Sequence, residues 1–263
     1  MKRTGLFMLI IASVFALLVG CTSSDSGSDT GTEDIDTLVI GIDDAFAPMG
    51  FRDDSNDIVG FDIDMAKAAG EKMGVEVQFQ PIDWTTKETE LNSGRIDLIW
   101  NGYTVTDERK EKVLFTKPYL KNSQVVAVLA DSDVATIDDL EGKQIGIQSF
   151  SSAVDALNAH PINEKIAGLT EFKTNVLALK DLENGRVDAV VIDEVVINYY
   201  MTIQEGTFKV LDESLSPEEY AVGVKKGNEA LLNELQEALD TMNEDGTAAE
   251  ISEKWFGEDK VLK

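Results

Sequence analysis

Two charged side chains stand where a charge needs a reason. Thr106 suits a helix N-cap, and Asp107 and Glu108 suit a first helical turn. Arg109 is then a cation at the helix end where the dipole disfavours positive charge. A guanidinium beside free backbone N–H groups makes a site for a carboxylate or a phosphate. The alternative is a solvated face, Arg109-Lys110-Glu111-Lys112, with i,i+4 pairs such as Glu108 with Lys112. Asp193 ends an apolar run and, at the carboxyl end of a strand, could hold an ammonium. Its alternative is a capping Asp that opens the next helix. Nucleophilic and metal chemistry have little to draw on. One Cys and one His argue against a disulfide framework, a zinc site and a thiol or serine triad. His160, in Asn158-Ala159-His160-Pro161, has no partner cluster and reads as a surface-turn residue. No metal and no cofactor are expected.

The chain as a whole bounds these readings. Its 263 residues allow one large or two small domains, and 43% hydrophobic content is enough for a real core. It carries 49 acidic against 23 basic side chains, a net −26. That balance makes a nucleic-acid partner improbable, because phosphate binding needs clustered Lys and Arg. The acidity is uneven. Residues 1–20 hold Lys2 and Arg3 and no acid, so removing them leaves 21 basic against 49 acidic, or −28. Lys2-Arg3 is a positive n-region, and 6–19 is an apolar run of 14 residues. That is shorter than the ~20 residues a membrane-spanning helix needs, so 1–20 reads as a secretory signal peptide. The run ends Leu18-Val19-Gly20-Cys21, which resembles the lipobox of bacterial lipoproteins and implies a lipid on Cys21. Residues 22–36 contain one apolar side chain in fifteen. The segment 21–36 is therefore expected to be a flexible tether, spanning on the order of 20 Å.

The remainder alternates strands and helices. Strands are expected at 37–42, 75–79, 96–100, 125–129 and 144–147. Helices are expected at 62–72 and 85–93, each followed by a Gly, and one opens at 107–112. The pattern predicts α/β architecture with largely parallel sheets. An internal echo suggests two similarly built lobes. Ser93-Gly94-Arg95-Ile96-Asp97-Leu98-Ile99 matches Asn184-Gly185-Arg186-Val187-Asp188-Ala189-Val190 in type, and Ile40-Gly41-Ile42 matches Ile145-Gly146-Ile147. The offsets, 91 and 105, exclude a strict repeat. Ligands of open α/β sheets bind beyond the carboxyl ends of the strands. That rule singles out Asp43 to Phe46, Trp100 to Thr106, Gln148 to Ser152, and Asp193 with Glu194.

Several ordered segments carry a family resemblance. They are Gly60-Phe61-Asp62-Ile63-Asp64, 102–110, Phe115-Thr116-Lys117-Pro118-Tyr119, Asp139-Leu140-Glu141-Gly142-Lys143, Asp245-Gly246-Thr247 and Lys254-Trp255-Phe256-Gly257. Through them, residues 37–257 resemble the polar amino-acid-binding solute-binding proteins of ABC transporters (family 3). The resemblance implies a two-lobed periplasmic-binding-protein-like fold of type II. Lobe 1 would be 37–119 with 221–263, and lobe 2 would be 120–220. Two crossing strands, with hinge segments at 119–123 and 216–220, would join them, and lobe closure on the ligand would be the mechanism.

The resemblance also assigns roles. Arg109 would pair with the ligand α-carboxylate, helped by the Thr104 hydroxyl and the backbone of Gly102. Asp193 would hold the α-ammonium. Ser151 or Ser152 would add donors at the start of the second lobe's helix, and Phe46 and Trp84 would clasp the side chain. Asn101, Phe150 and Lys87-Glu88 depart from many relatives. Asp43, with Glu88, would favour a cationic or amide side chain; the alternative has Asp43 capping a turn and Glu88 facing solvent. The partners implied are a polar L-amino acid, permease subunits of an ABC transporter and, through Cys21, the extracytoplasmic membrane face; the protein is expected to be a monomer. A dehydratase on the same fold, with Glu194 or Asp43 as general acid/base, is the enzyme alternative. A sensor domain and an adhesin-type lipoprotein are the others.

Overall fold

The computed structural model describes residues 36–263. The expected signal peptide, Cys21 and nearly all of the expected tether lie outside the described residues. In chain order, the first lobe runs β1 (Thr37–Ile42), β2 (Ala45–Phe46), β3 (Gly50–Arg52), β4 (Ile58–Val59), α1 (Phe61–Met73), β5 (Glu76–Pro81), α2 (Lys87–Ser93), β6 (Leu98–Ile99), α3 (Asp107–Lys110) and β7 (Val113–Phe115). The chain crosses on β8 (Leu120–Leu129). The second lobe holds β9 (Gln144–Gln148), α4 (Ser152–Ala159), β10 (Gly168–Phe172), α5 (Asn175–Glu183), β11 (Ala189–Asp193), α6 (Glu194–Ile203) and β12 (Phe208–Val210). It returns on β13 (Ser216–Tyr220) to β14 (Gly223–Lys225), α7 (Glu229–Asp245) and α8 (Thr247–Phe256) in the first lobe.

Both main sheets follow one plan. The first has the order β5-β1-β6-β14-β7 and the second β10-β9-β11-β8-β12. In each, the first three strands are parallel and the fourth is antiparallel, supplied by the stretch of chain just past a crossing. The expectation of largely parallel sheets therefore holds for the three-strand half of each and not for the rest. β13 pairs antiparallel with the first half of β8, so the two crossing strands form one ribbon.

The internal echo is a packing device. In each lobe the two echoed segments touch one another. A Cβ on Gly41 would lie 2.4 Å from Ile96 Cδ1, and one on Gly146 would lie 3.3 Å from Val187 Cγ2. The glycine lets the helix-to-strand junction sit directly on the central strand. Each junction is then pinned by its Asp. Asp97 Oδ2 accepts the Val39 N–H at 2.8 Å, and Asp188 Oδ2 accepts the Gln144 N–H at 2.7 Å. Each Arg reaches back to an acid five residues earlier, Arg95 to Glu90 and Arg186 to Asp181. Repeated chemistry thus places the carboxyl ends of β1, β6, β9 and β11 at the same height in both lobes.

In lobe 1, α1 meets the C-terminal helix α8. Asp64 accepts the Lys254 ammonium at 2.6 Å and the Trp255 indole N–H at 2.8 Å, joining α1 to α8. The apolar core includes Leu38, Phe61, Leu98, Leu235 and Met242 in lobe 1 and Val126, Ile145, Leu157 and Val191 in lobe 2. The described strands and helices and these cores lie within a single compact unit, Ile35–Lys263, which therefore has what it needs to fold on its own.

Candidate functional site

The ten candidate residues of the cleft are all buried, and the polar ones gather where the lobes meet. Thr106 caps α3 as expected, its Oγ1 accepting the Arg109 N–H at 3.1 Å. The solvated-face reading holds for Glu108 and Lys112 but not for Arg109. Glu108 and Lys112 pair on the solvent face, whereas Arg109 turns inward and is 6% exposed. Its guanidinium lies 4.6 Å from the centre of the Tyr103 ring, and donates to the Thr104 carbonyl at 2.9 Å and, across the lobes, to the Phe150 carbonyl at 3.3 Å.

Asp193 occupies the N-cap position of α6, but its side chain does not cap. Its Oδ1 accepts instead from the Tyr220 hydroxyl at 2.6 Å, Asn122 Nδ2 at 2.7 Å and Gln124 Nε2 at 2.9 Å. Burial, then the nearby Glu218 charge, raises its pKa to about 7 against the pull of those donors. Asp43 behaves likewise. Its Oδ1 accepts the Ala45 N–H at 3.0 Å, which is the turn-capping reading. Its Oδ2 accepts Gln148 Nε2 at 2.7 Å from the other lobe, and burial raises its pKa. None of the salt bridges among the described residues involves Arg109, Asp193 or Asp43. One buried cation and two buried acids therefore share a cleft without counter-ions, which is costly unless something else supplies them.

The remaining candidates are placed as follows. Ser152 Oγ lies 3.0 Å from Thr104 Oγ1 across the lobes, while the Ser151 hydroxyl donates to the Gln148 carbonyl at 2.8 Å. Trp84 joins a core cluster with Leu91, Ile96, Ile99, Tyr103 and Val113, edge-on to Tyr103. Phe46 lies against Gly102, whose φ of +57° and crowding (a Cβ would be 2.7 Å from Phe46 Cε1) admit no larger residue without strain. The Asn101 amide is buried beside Gly50 and makes no hydrogen bond to any described residue. Glu88 does not simply face solvent: it accepts the Tyr103 hydroxyl at 3.0 Å and sits 3.4 Å from Lys87. Phe150 holds φ +58°, a sparsely populated conformation for such a residue, and is 63% exposed. That conformation aims its carbonyl at lobe 1, where Lys87 Nζ joins Arg109 in donating to it, at 3.1 Å. Burial, reinforced by the Arg109 charge, lowers the Lys87 pKa to about 8.

Sequence reasoning missed the residues beneath the site. Asp62 is fully buried, and its Oδ2 accepts the Gly102 N–H at 2.6 Å. That N–H is therefore not free to donate to a ligand, and the Gly102 carbonyl is left as an acceptor. Burial raises the Asp62 pKa to about 7, opposed by the Gly102 N–H, the Tyr119 hydroxyl and the Trp100 indole. Asp62→Ala leaves the Gly102 N–H without an acceptor at ~1–3 kcal/mol, so the melting temperature is expected to fall by about 3–10 °C. Asp62→Asn keeps an acceptor and removes the buried charge, and is expected to melt at or above wild type at pH 8. An alanine variant as stable as wild type would show that Asp62 does not hold this loop. Asn122, Gln124, Glu218 and Tyr220 were missed as well. Their only signal is polar residues at alternate positions on the crossing strands, which puts each pair on one face.

A cavity of about 270 Å³ opens over this seam, bounded by Lys87, Arg109, Phe150 and Ser151. Another of about 380 Å³ is bounded by Thr104, Ser152 and Glu218. A larger one, about 690 Å³, is walled by Phe51, Tyr199 and Trp255 and contains none of the ten candidates. Its cations are already neutralised, Arg52 by Asp44 and Lys254 by Asp64. This larger cavity also lies between the lobes, but none of the unpaired charges, Arg109, Asp193 and Asp43, lines it.

Comparison with known proteins identifies the family. Residues 38–258 match the family model of bacterial extracellular solute-binding proteins, family 3. The L-cystine-binding protein TcyJ of Escherichia coli (strain K12) is 30% identical over 238 residues, covering 90% of this chain and 88% of that protein. A substrate-binding protein of an ABC uptake transporter from Streptococcus pneumoniae, solved with bound histidine, superposes with a TM-score of 0.84 at 42% identity, covering 87% of this chain and 95% of the other. An ancestral arginine-binding protein bound to glutamine gives a TM-score of 0.80 at 38% identity, covering 85% and 99%. With its two lobes of the type II periplasmic-binding-protein fold, the chain belongs to the family 3 extracellular solute-binding proteins of bacteria.

Proposed function

We propose that the cleft captures a polar L-amino acid and that the loaded protein delivers it to an ABC transporter permease. The observation that carries this reading is charge: buried Arg109 on one side, and buried Asp193 and Asp43 on the other, with no salt-bridge partner among the described residues. A zwitterion supplies both missing counter-charges. Arg109 takes the α-carboxylate, with Ser151 and Ser152 at the start of α4 as further donors. Asp193 takes the α-ammonium, with the Gly102 carbonyl as a second acceptor. The side chain lies between Phe46 and Trp84 and reaches Asp43, whose unneutralised charge favours a cationic or amide group. The histidine-bound, glutamine-bound and cystine-binding relatives support this class of ligand.

Closure about the β8–β13 ribbon would bring Phe150, Ser152 and Gln148 onto lobe 1. We read lobe 1 as 37–119 with 221–263, and lobe 2 as 120–220. Cys21 would carry the lipid that anchors the tether outside the cell membrane, which mass spectrometry of the membrane-extracted protein would detect. The protein is a binder and not an enzyme in this reading, because Glu194, one acid/base candidate, is exposed and Asp43, the other, is held by Gln148 and Ala45.

The test is a thermal-shift panel of the proteinogenic L-amino acids and L-cystine on residues 22–263. An amino acid of about ten heavy atoms can reach micromolar Kd, about −8 kcal/mol. At a hundredfold excess over Kd it stabilises by ~2.7 kcal/mol, about 5–10 °C for a body of this size. A complete panel with no shift would end the proposal.

A further inference from the structure

We propose that Glu218, on the returning strand β13, is a positioning residue of the cleft: it shares two amide donors with Asp193 and sets the direction of the hydrogen bonds that join the lobes. The proposal rests on reading the cleft as an amino-acid site, with Asp193 at its ammonium end.

Strand register brings the two acids together. β8 lies between β13 and β11, with Asn122 opposite Glu218 and Gln124 opposite Asp193. Asn122 Nδ2 donates to Asp193 Oδ1 at 2.7 Å and to Glu218 Oε2 at 3.2 Å. Gln124 Nε2 does the same, at 2.9 and 3.1 Å. Both carboxylates are thus held in the same pair of amides, with no cation between them.

Glu218 also orders the seam. The Thr104 hydroxyl donates to Glu218 Oε2, 3.0 Å away. In the Thr104–Ser152 contact, Ser152 must then be the donor. Ser152 Oγ in turn accepts from Gln124 Nε2 at 3.4 Å. The chain runs Gln124 to Ser152 to Thr104 to Glu218, crossing from lobe 2 to lobe 1 and ending on the ribbon. Glu218 is its terminus. In place of a Thr104 proton free for the ligand carboxylate, the cleft has one committed to the ribbon.

The same contact links binding to protons. Asp193 faces Glu218 and Tyr220 from β13, and neutral Asn122 and Gln124 from β8. Exposed Glu194 follows it in α6, and Tyr119 lies beyond Tyr220. The cation on the lobe 1 side is Arg109, which donates to the Thr104 carbonyl. Burial raises the Asp193 pKa first, and the Glu218 charge raises it further. A ligand ammonium favours ionised Asp193, so affinity should fall as pH drops through about 7, by at most about tenfold per pH unit. Removing the Glu218 charge moves the onset of that fall to lower pH.

The test compares wild type, Glu218→Gln and Glu219→Gln in residues 22–263, the last being the exposed neighbour on the same strand. Side-chain carboxyl carbons are titrated by NMR without ligand. In Glu218→Gln the Asp193 midpoint is expected to move down by about one unit, while Glu219→Gln leaves it in place. An unmoved midpoint in Glu218→Gln overturns the proposal. Wild type alone gives a second reading, since a coupled pair titrates in two mutually visible steps; two independent single-step curves overturn it even if the glutamine variant does not fold. Affinity for L-arginine and L-glutamine from pH 5 to 8 adds the functional arm. The expected result is a Glu218→Gln to wild-type affinity ratio that rises as pH falls, and parallel profiles count against the proposal. If neither amino acid binds, the amino-acid reading is in question, while the ligand-free titration still decides the carboxylate pair.

Discussion

Arg109→Ala is expected to abolish the amino-acid-induced rise in melting temperature, with a loss of affinity of at least about 100-fold, ~3 kcal/mol. The reasoning is electrostatic and geometric together. Arg109 is the cleft cation that meets no acid among the described residues, and its contacts to the Thr104 and Phe150 carbonyls leave further N–H donors unused. A ligand carboxylate brought into the closed cleft without it would be buried unpaired. Arg109→Lys should recover little, because a lysine offers a point charge where the planar guanidinium both stacks on Tyr103 and forks towards two acceptors. The unliganded Arg109→Ala protein should melt within a few degrees of wild type, since a buried charge and its carbonyl contacts are lost together. Calorimetric titration with the amino acid found in the panel decides the matter. Undiminished affinity in Arg109→Ala would move the carboxylate end of the site elsewhere, with Lys87 the next cation to examine.

Asp193→Asn is expected to lose binding to a similar extent while making the empty protein more stable at pH 8. The two effects have opposite signs for one reason. The folded protein holds Asp193 at a pKa of about 7, above the ordinary value of 3.8. A raised carboxyl contributes stability that is fully present below 3.8 and is lost as pH rises through about 7. At pH 8 the wild type therefore carries an ionised carboxylate that burial penalises, and asparagine removes that penalty while keeping an acceptor for Tyr220. The advantage of the variant should shrink between pH 7 and pH 4, as the wild-type acid takes up its proton. Paired melts of wild type and Asp193→Asn at pH 8 and pH 5 read the sign directly. A variant less stable than wild type at pH 8 would mean that the Asn122, Gln124 and Tyr220 donors outweigh burial. Retained binding would remove Asp193 from the ammonium end.

How far the site was legible differs from residue to residue. Arg109 announced itself by sitting at the wrong end of a capped helix, and the capping itself is local chemistry that Thr106 carries out. What the helix pattern left open was which way the cation points. Tyr103 and the Phe150 carbonyl settle that, one from the adjacent loop and the other from the opposite lobe. Asp193 shows the same limit in reverse. Its N-cap position was readable, but the side chain leaves the cap for three donors on the crossing strands. The Ser93–Ile99 and Asn184–Val190 echo suggested two similarly built lobes, and the structure shows it as one contact made twice, with its own glycine in each lobe.

The sequence by itself determined what depends on neighbours along the chain. That covers the α/β alternation, the helix stops, the strand ends where a ligand would sit, and the type and order of the charges offered there. Tertiary structure decided what depends on two distant segments sharing one dielectric environment. Asp62, in a helix forty residues before Gly102, holds the loop on which the site rests. Glu218 reaches the same amides as Asp193 only because β13 and β11 flank β8. Phe150 takes a left-handed backbone that aims its carbonyl at two cations of the other lobe. Burial raises the pKa of Asp62 and of Asp193, and burial belongs to the fold as a whole rather than to any stretch of sequence.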